Sequence, residues 1–154
     1  MTRRLDIMLV DDDAADLALF ARAVSKTQLS INLQCVSAGQ EAIDYLEAKG
    51  AYADRAVYPL PDVIVLDLKM PGLNGFDFLA WRQASSLFLT FPVVVLSGST
   101  DQSEIKRVFQ LGANQHLVKP THFDDWLSIV SSIYDFAQQW RPLVSREEPT
   151  DKGG

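Results

Sequence analysis

The segment Val63–Gly75, VIVLDLKMPGLNG, decides how this chain is read. Four apolar residues, Val63 to Leu66, end on a carboxylate, Asp67. A short β-branched run bounded by turn residues reads as a buried strand, and Pro71, Gly72 and Gly75 supply the turn. An acid at the end of a buried strand needs partners. The same pattern, an apolar run ending on a polar residue, recurs along the chain. Asp6–Val10 reads as a first strand and runs into Asp11, Asp12 and Asp13. Ile31–Val36 is a second. Pro92–Leu96 is a fourth and meets Ser97. Gln115–Val118 is a fifth and meets Lys119, then Pro120.

Helical stretches fill the gaps. Leu17, Phe20, Ala21 and Val24 recur at helical spacing. Gln40–Ala48 carries Ile43 and Leu46 on one side. Asn74 can cap a helix to about Ser86. Asp101 and Glu104 resemble a capping box for a helix that stops at Gly112. The last helix starts near Thr121, with Phe123, Trp126, Leu127, Val130 and Tyr134 along one face. Five strands alternating with five helices predict an α/β fold whose parallel sheet is covered on both faces. Residues 49–61 read as a long loop, and 141–154, polar and ending SREEPTDKGG, as a flexible C-terminal tail.

The 154 residues suit one domain, and 47% hydrophobic content suits a proper core. A net charge of −6 with no basic stripe argues against direct nucleic-acid binding. No apolar run approaches the roughly 20 residues needed to span a bilayer. The N-terminus is a poor signal peptide. The single cysteine, Cys35, sits in an apolar run and reads as a small core residue. Together these features favour a soluble, cytoplasmic protein.

In parallel sheets, ligands bind beyond the carboxyl ends of the strands, near the point where strand order reverses. There Asp11, Asp12, Asp13, Asp67, Ser97 and Lys119 would gather. Asp13, with Asp16 three residues on, reads as a helix cap. Clustered carboxylates repel: at about 4 Å and a surface-like dielectric, each pair costs on the order of 4 kcal/mol. A divalent cation relieves this, and magnesium suits one or two carboxylates, a carbonyl, waters and phosphate oxygens. Lys119 adds a positive charge and Ser97 a hydroxyl. The set suits a phosphoryl group held on Asp67 as an aspartyl phosphate.

MLVDDD, VIVLDLKMPGLNG, VVVLSGS and HLVKP, in that order, resemble the receiver domain of two-component response regulators. The likeness runs over residues 4–140. The intervals of 30 from Asp67 to Ser97 and 22 from Ser97 to Lys119 are the family's usual ones. The resemblance implies a flavodoxin-like, doubly wound five-stranded sheet of order 2-1-3-4-5 with five helices. It implies that Asp67 takes phosphate from a sensor histidine kinase or phosphotransfer protein. It also implies Mg2+ held by Asp12, Asp67 and the backbone carbonyl of Lys69, with Asp11 acting through water, and a cis Lys119–Pro120 bond. The protein is then a phosphoacceptor, taking part in its own phosphorylation and dephosphorylation, and not an enzyme acting on other substrates.

Two features depart from the family's usual pattern. An aromatic residue three before the lysine normally switches with the hydroxyl residue; here it is His116, and the hydroxyl is Ser97. The long loop, containing Tyr52 and Tyr58, is similar to that of single-domain regulators serving phytochrome-type photoreceptor kinases. With 14 residues after Trp140, output is expected through a surface, most simply the fourth helix, fifth strand and fifth helix, or through homodimerisation. A haloacid-dehalogenase-type phosphohydrolase is the alternative, but it needs an acid two residues after its nucleophile, where this chain has Lys69. A flavin module is disfavoured because DDDAAD would repel a phosphate. A receiver that binds partners without being phosphorylated is disfavoured because no site residue is missing.

Overall fold

The computed structural model describes residues 4–143. Its elements alternate as expected: β1 (Leu5–Val10), α1 (Ala14–Thr27), β2 (Ile31–Val36), α2 (Gly39–Leu46), β3 (Val63–Leu66), α3 (Gly75–Ala84), β4 (Val93–Ser97), α4 (Gln102–Gln110), β5 (Gln115–Val118) and α5 (Phe123–Leu143). All strand pairs are parallel, in the order β2-β1-β3-β4-β5.

Side chains alternate across a strand, so each inner strand feeds two cores. Leu5, Ile7, Leu9, Val63, Val65, Val94 and Leu96 pack with Phe20 of α1 and with Trp126, Val130 and Ile133 of α5. Met8, Val10, Ile64, Leu66, Val93 and Val95 pack on the other face with residues of α2 and α3 and with Val108 of α4. Burial on both faces is why the inner strands read as continuous apolar runs.

The chain steps from β1 outward to β2, then returns to lay β3 on the other side of β1. That reversal opens the crevice between the carboxyl ends of β1 and β3. Val10 pairs with Leu66, and the Asp67 N–H donates to the Val10 carbonyl at 2.9 Å. Asp11 and Asp67 therefore leave their strands side by side.

The 49–61 loop is clamped to α2. A 3-10 turn, Gly50–Tyr52, starts it. The Tyr52 hydroxyl donates to the Glu41 carboxylate, and Tyr45, Tyr52 and Tyr58 pack ring against ring. The Arg55 guanidinium donates to the carbonyls of Tyr45, Leu46 and Tyr58, which ties the loop to the carboxyl end of α2.

Three expectations need correction. Cys35 is exposed, because β2 is an edge strand and only its last residue, Val36, is buried. The Lys119–Pro120 bond is trans, since no cis peptide bond occurs among the described residues. Trans is the intrinsically favoured form by about 0.5–1 kcal/mol, and in it the lysine already reaches the acids. The helical chain also continues past 140, to Leu143; the rest of the expected tail lies outside the described residues.

Candidate functional site

Four loops converge at the carboxyl edge of the sheet. Asp11 is buried at 3% exposure and Asp67 at 7%, while Asp12 is exposed. One oxygen from each of these three carboxylates lies within 4.8 Å of the others. Asp13 caps α1, its side chain accepting from the Ala15 and Asp16 N–H groups. The Asp13 N–H in turn donates to Asp11 Oδ1 at 2.9 Å, which fixes the buried carboxylate.

Lys119 enters from β5. Its Nζ lies 2.9 Å from Asp11, 2.8 Å from Asp16 and 3.4 Å from Asp67, and its side chain is 16% exposed. Burial alone would depress its pKa. The hydrogen bonds it donates to Asp11 and Asp16, with the Asp67 charge, outweigh that and hold it above the usual lysine range, so it stays charged. The Asp67 carboxyl is pushed up to about 6, first by burial and next by the neighbouring Asp11 charge; Lys119 pulls the other way and only partly compensates. The strand end thus carries an acid under electrostatic stress. Asp11, Asp12, Asp16 and Asp67 exceed the single ammonium by three charges, a local excess that a divalent cation would relieve.

The turn after Asp67 is shaped by glycine. Gly72 has φ +73°. Gly75 begins α3 so close to the strand end that a Cβ there would meet the Asp67 carbonyl oxygen and, at 2.7 Å, the Leu68 Cα. Asn74 forms a full capping box with Asp77. Ser97 is buried at the end of β4, and its Oγ accepts from the Ser99 N–H at 3.2 Å. Lys69 and Ser99 both reach Glu104 at the start of α4: Ser99 Oγ donates to Oε1, and Lys69 Nζ lies 3.4 Å from Oε2. Glu104 read as a capping residue in the sequence, but Asp101 caps α4 through the Ser103 N–H and Glu104 joins the two loops instead.

His116 does not reach this edge. It pairs with Val95, two residues before Ser97, facing the α3/α4 side of the sheet. Its Nε2 is buried with no hydrogen-bond partner among the described residues, and burial holds its pKa below the ordinary histidine value. A groove of about 660 Å³ is lined by Leu46, Arg55, Leu60, Leu87 and Phe88 among others. These residues lie at the amino edge of the sheet, away from the acids.

The family model for the response regulator receiver domain matches residues 7–131. The chain belongs to the response regulator receiver family. This receiver is 29% identical over 134 residues to the probable methanogenesis regulatory protein FilR2 of Methanothrix harundinacea, covering 87% of this chain and 84% of that one. It is 28% identical over 130 residues to response regulator Rcp1 of Synechocystis sp., covering 84% and 86%. The Mn(2+)-bound form of Rcp1 superposes with a TM-score of 0.74 over 95% of the receiver and 99% of that chain, at 27% identity. The phosphorylated cyanobacterial phytochrome response regulator RcpA gives a TM-score of 0.79 at 30% identity, covering 96% and 100%. No helix of the receiver among the described residues is long and apolar enough to cross a membrane.

Proposed function

We propose that the protein is a phosphorylation switch in which Asp67 accepts a phosphoryl group from the phosphohistidine of a sensor kinase or phosphotransfer protein. The observation that carries this reading is the meeting of Asp11, Asp12, Asp67 and Lys119 at one strand edge. A carboxylate oxygen of Asp67 attacks phosphorus, the phosphorus–nitrogen bond breaks, and the imidazole leaves with its electron pair. Asp67 must be ionised to attack, and its carboxyl at about 6 is ionised at neutral pH while remaining poorly solvated. Lys119 stays protonated and can move from carboxylate to phosphoryl oxygen. The Ser97 hydroxyl, at the end of β4, would donate to another.

The cluster fits a hard divalent cation, because its donors are carboxylates and its charge is unbalanced. Asp12, Asp67 and the Lys69 carbonyl, with Asp11 through water, would hold magnesium. Bound there, magnesium neutralises charge on the phosphoryl oxygens. The Mn(2+)-bound form of Rcp1 supports a divalent ion, and the phytochrome regulators support a phytochrome-type kinase as the phosphodonor. The receiver unit spans about residues 4–140 and works in the cytoplasm, without binding nucleic acid directly. It is no enzyme toward other substrates: Lys69, paired with Glu104, occupies the place where a phosphohydrolase needs its second acid. Output leaves through α4, β5 and α5, where Phe109 and Val118 are exposed, to a partner or a second copy.

The test is incubation with magnesium and acetyl phosphate, read by phosphate-affinity electrophoresis. One shifted band is expected for the wild type and none for Asp67→Asn. A shift of full extent in Asp67→Asn would place the phosphoacceptor elsewhere.

A further inference from the structure

The acids of DDDAAD divide their work. Asp11 and Asp12 belong to the cation cluster, and Asp13 caps α1. Asp16 is left over, and its contact is to Lys119: the 2.8 Å approach is the shortest of the three that the ammonium makes. Asp16 is held for that contact, since its N–H donates to the Asp13 cap at 3.2 Å. An ammonium has three donors, and three carboxylates surround this one. A phosphoryl group on Asp67 therefore gains Lys119 only if a present partner gives it up. Asp67 directly, and Asp11 through water, would be shared with a cation, which loosens their hold. Asp16 is outside the cation cluster, so its hold persists.

We propose that Asp16 is a positioning residue, a counter-anchor that keeps Lys119 in its resting place and opposes its transfer to the phosphoryl group. Release of Lys119 from Asp16 is then part of switching. The inference rests on Asp67 being the phosphoacceptor. A merely structural Asp16, favourable in the first turn of α1 through the helix dipole, would change stability alone when removed.

The experiment compares wild type, Asp16→Asn, Asp16→Glu, Lys119→Ala and the double variant Asp16→Asn/Lys119→Ala. In metal-free protein, the Lys119 Cε–Hε NMR signal should shift in Asp16→Asn and shift less in Asp16→Glu. With magnesium and acetyl phosphate, Asp16→Asn should acquire phosphoryl roughly three- to tenfold faster than wild type, a barrier change of about 1 kcal/mol. That gain should vanish in the Lys119→Ala background. An equal gain there would reduce Asp16 to a general repulsion of the donor and overturn the proposal. So would an unmoved Lys119 signal, or a wild-type rate in Asp16→Asn. If Asp16→Asn fails to fold, Asp16→Glu carries the same comparison, with a smaller gain expected and no gain counting against. Failure of wild type to be labelled at all would instead strike the assignment of Asp67, leaving the metal-free NMR result to judge Asp16 separately.

Discussion

Replacing Asp67 by asparagine should make the metal-free protein more stable. The Asp67 carboxyl is raised from 3.8 to about 6, and each unit is worth about 1.4 kcal/mol. The ionised form therefore costs the folded state up to about 3 kcal/mol at neutral pH. The sign follows from proton counting. Between about pH 4 and 6 the folded chain binds more protons at Asp67 than the unfolded chain, so stability falls as pH rises through that window. Above it the cost is fully present; below it the cost is gone. Asparagine keeps the shape and removes the charge. It also loses the 3.4 Å approach to Lys119, so the net gain should be about 1–2 kcal/mol, or about 2–4 °C in Tm per kcal/mol for a domain of this size. Urea denaturation in chelator at pH 7.5 measures it, repeated at pH 4, where the two proteins should converge. An Asp67→Asn variant equal to or weaker than wild type at pH 7.5 would refute the stressed-acid reasoning.

Magnesium should raise the wild-type Tm in proportion to the logarithm of its concentration once above its Kd, and should do so much less in Asp12→Asn; calorimetry with and without chelator checks both. Gly75→Ala should destabilise by about 1–3 kcal/mol through forced displacement against Leu68 and Asp67, measured by urea unfolding. His116→Phe should gain about 1 kcal/mol by removing a buried, unpartnered ring nitrogen. That gain should widen on acidification below about pH 6.5, because a depressed histidine pKa makes the wild type lose stability as pH falls through that range. Lys119→Ala should still accept phosphoryl from acetyl phosphate but show little change in partner binding or dimerisation; a wild-type response measured by ultracentrifugation would contradict a switching role for Lys119.

The inner strands were legible because burial on both faces writes an apolar run, as in β3, which is buried throughout; the edge strands β2 and β5 also occupy the residues read for them. The acids were legible because polar residues at strand ends stand out against such runs. Strand order was not in the periodicity; it came with the family likeness. Asp16 was read only as a helix-start acid, since its partner lies 103 residues away and nothing local announces it. Glu104 was hidden in the same way, a capping signal whose side chain serves Lys69 and Ser99. Cys35 misled because an apolar run does not reveal which strand is the edge. The 49–61 segment read only as a long loop, because its order comes from Arg55 and the tyrosines meeting α2 in space.

The central claim is that Asp67 is the residue to which phosphorus becomes bonded. Borohydride reduces an aspartyl phosphate to homoserine, so peptide mass spectrometry of the reduced, phosphorylated protein reads the position directly. The account predicts homoserine at position 67 and aspartate retained at 11, 12 and 16. Homoserine at any of those three positions, with Asp67 intact, would contradict it.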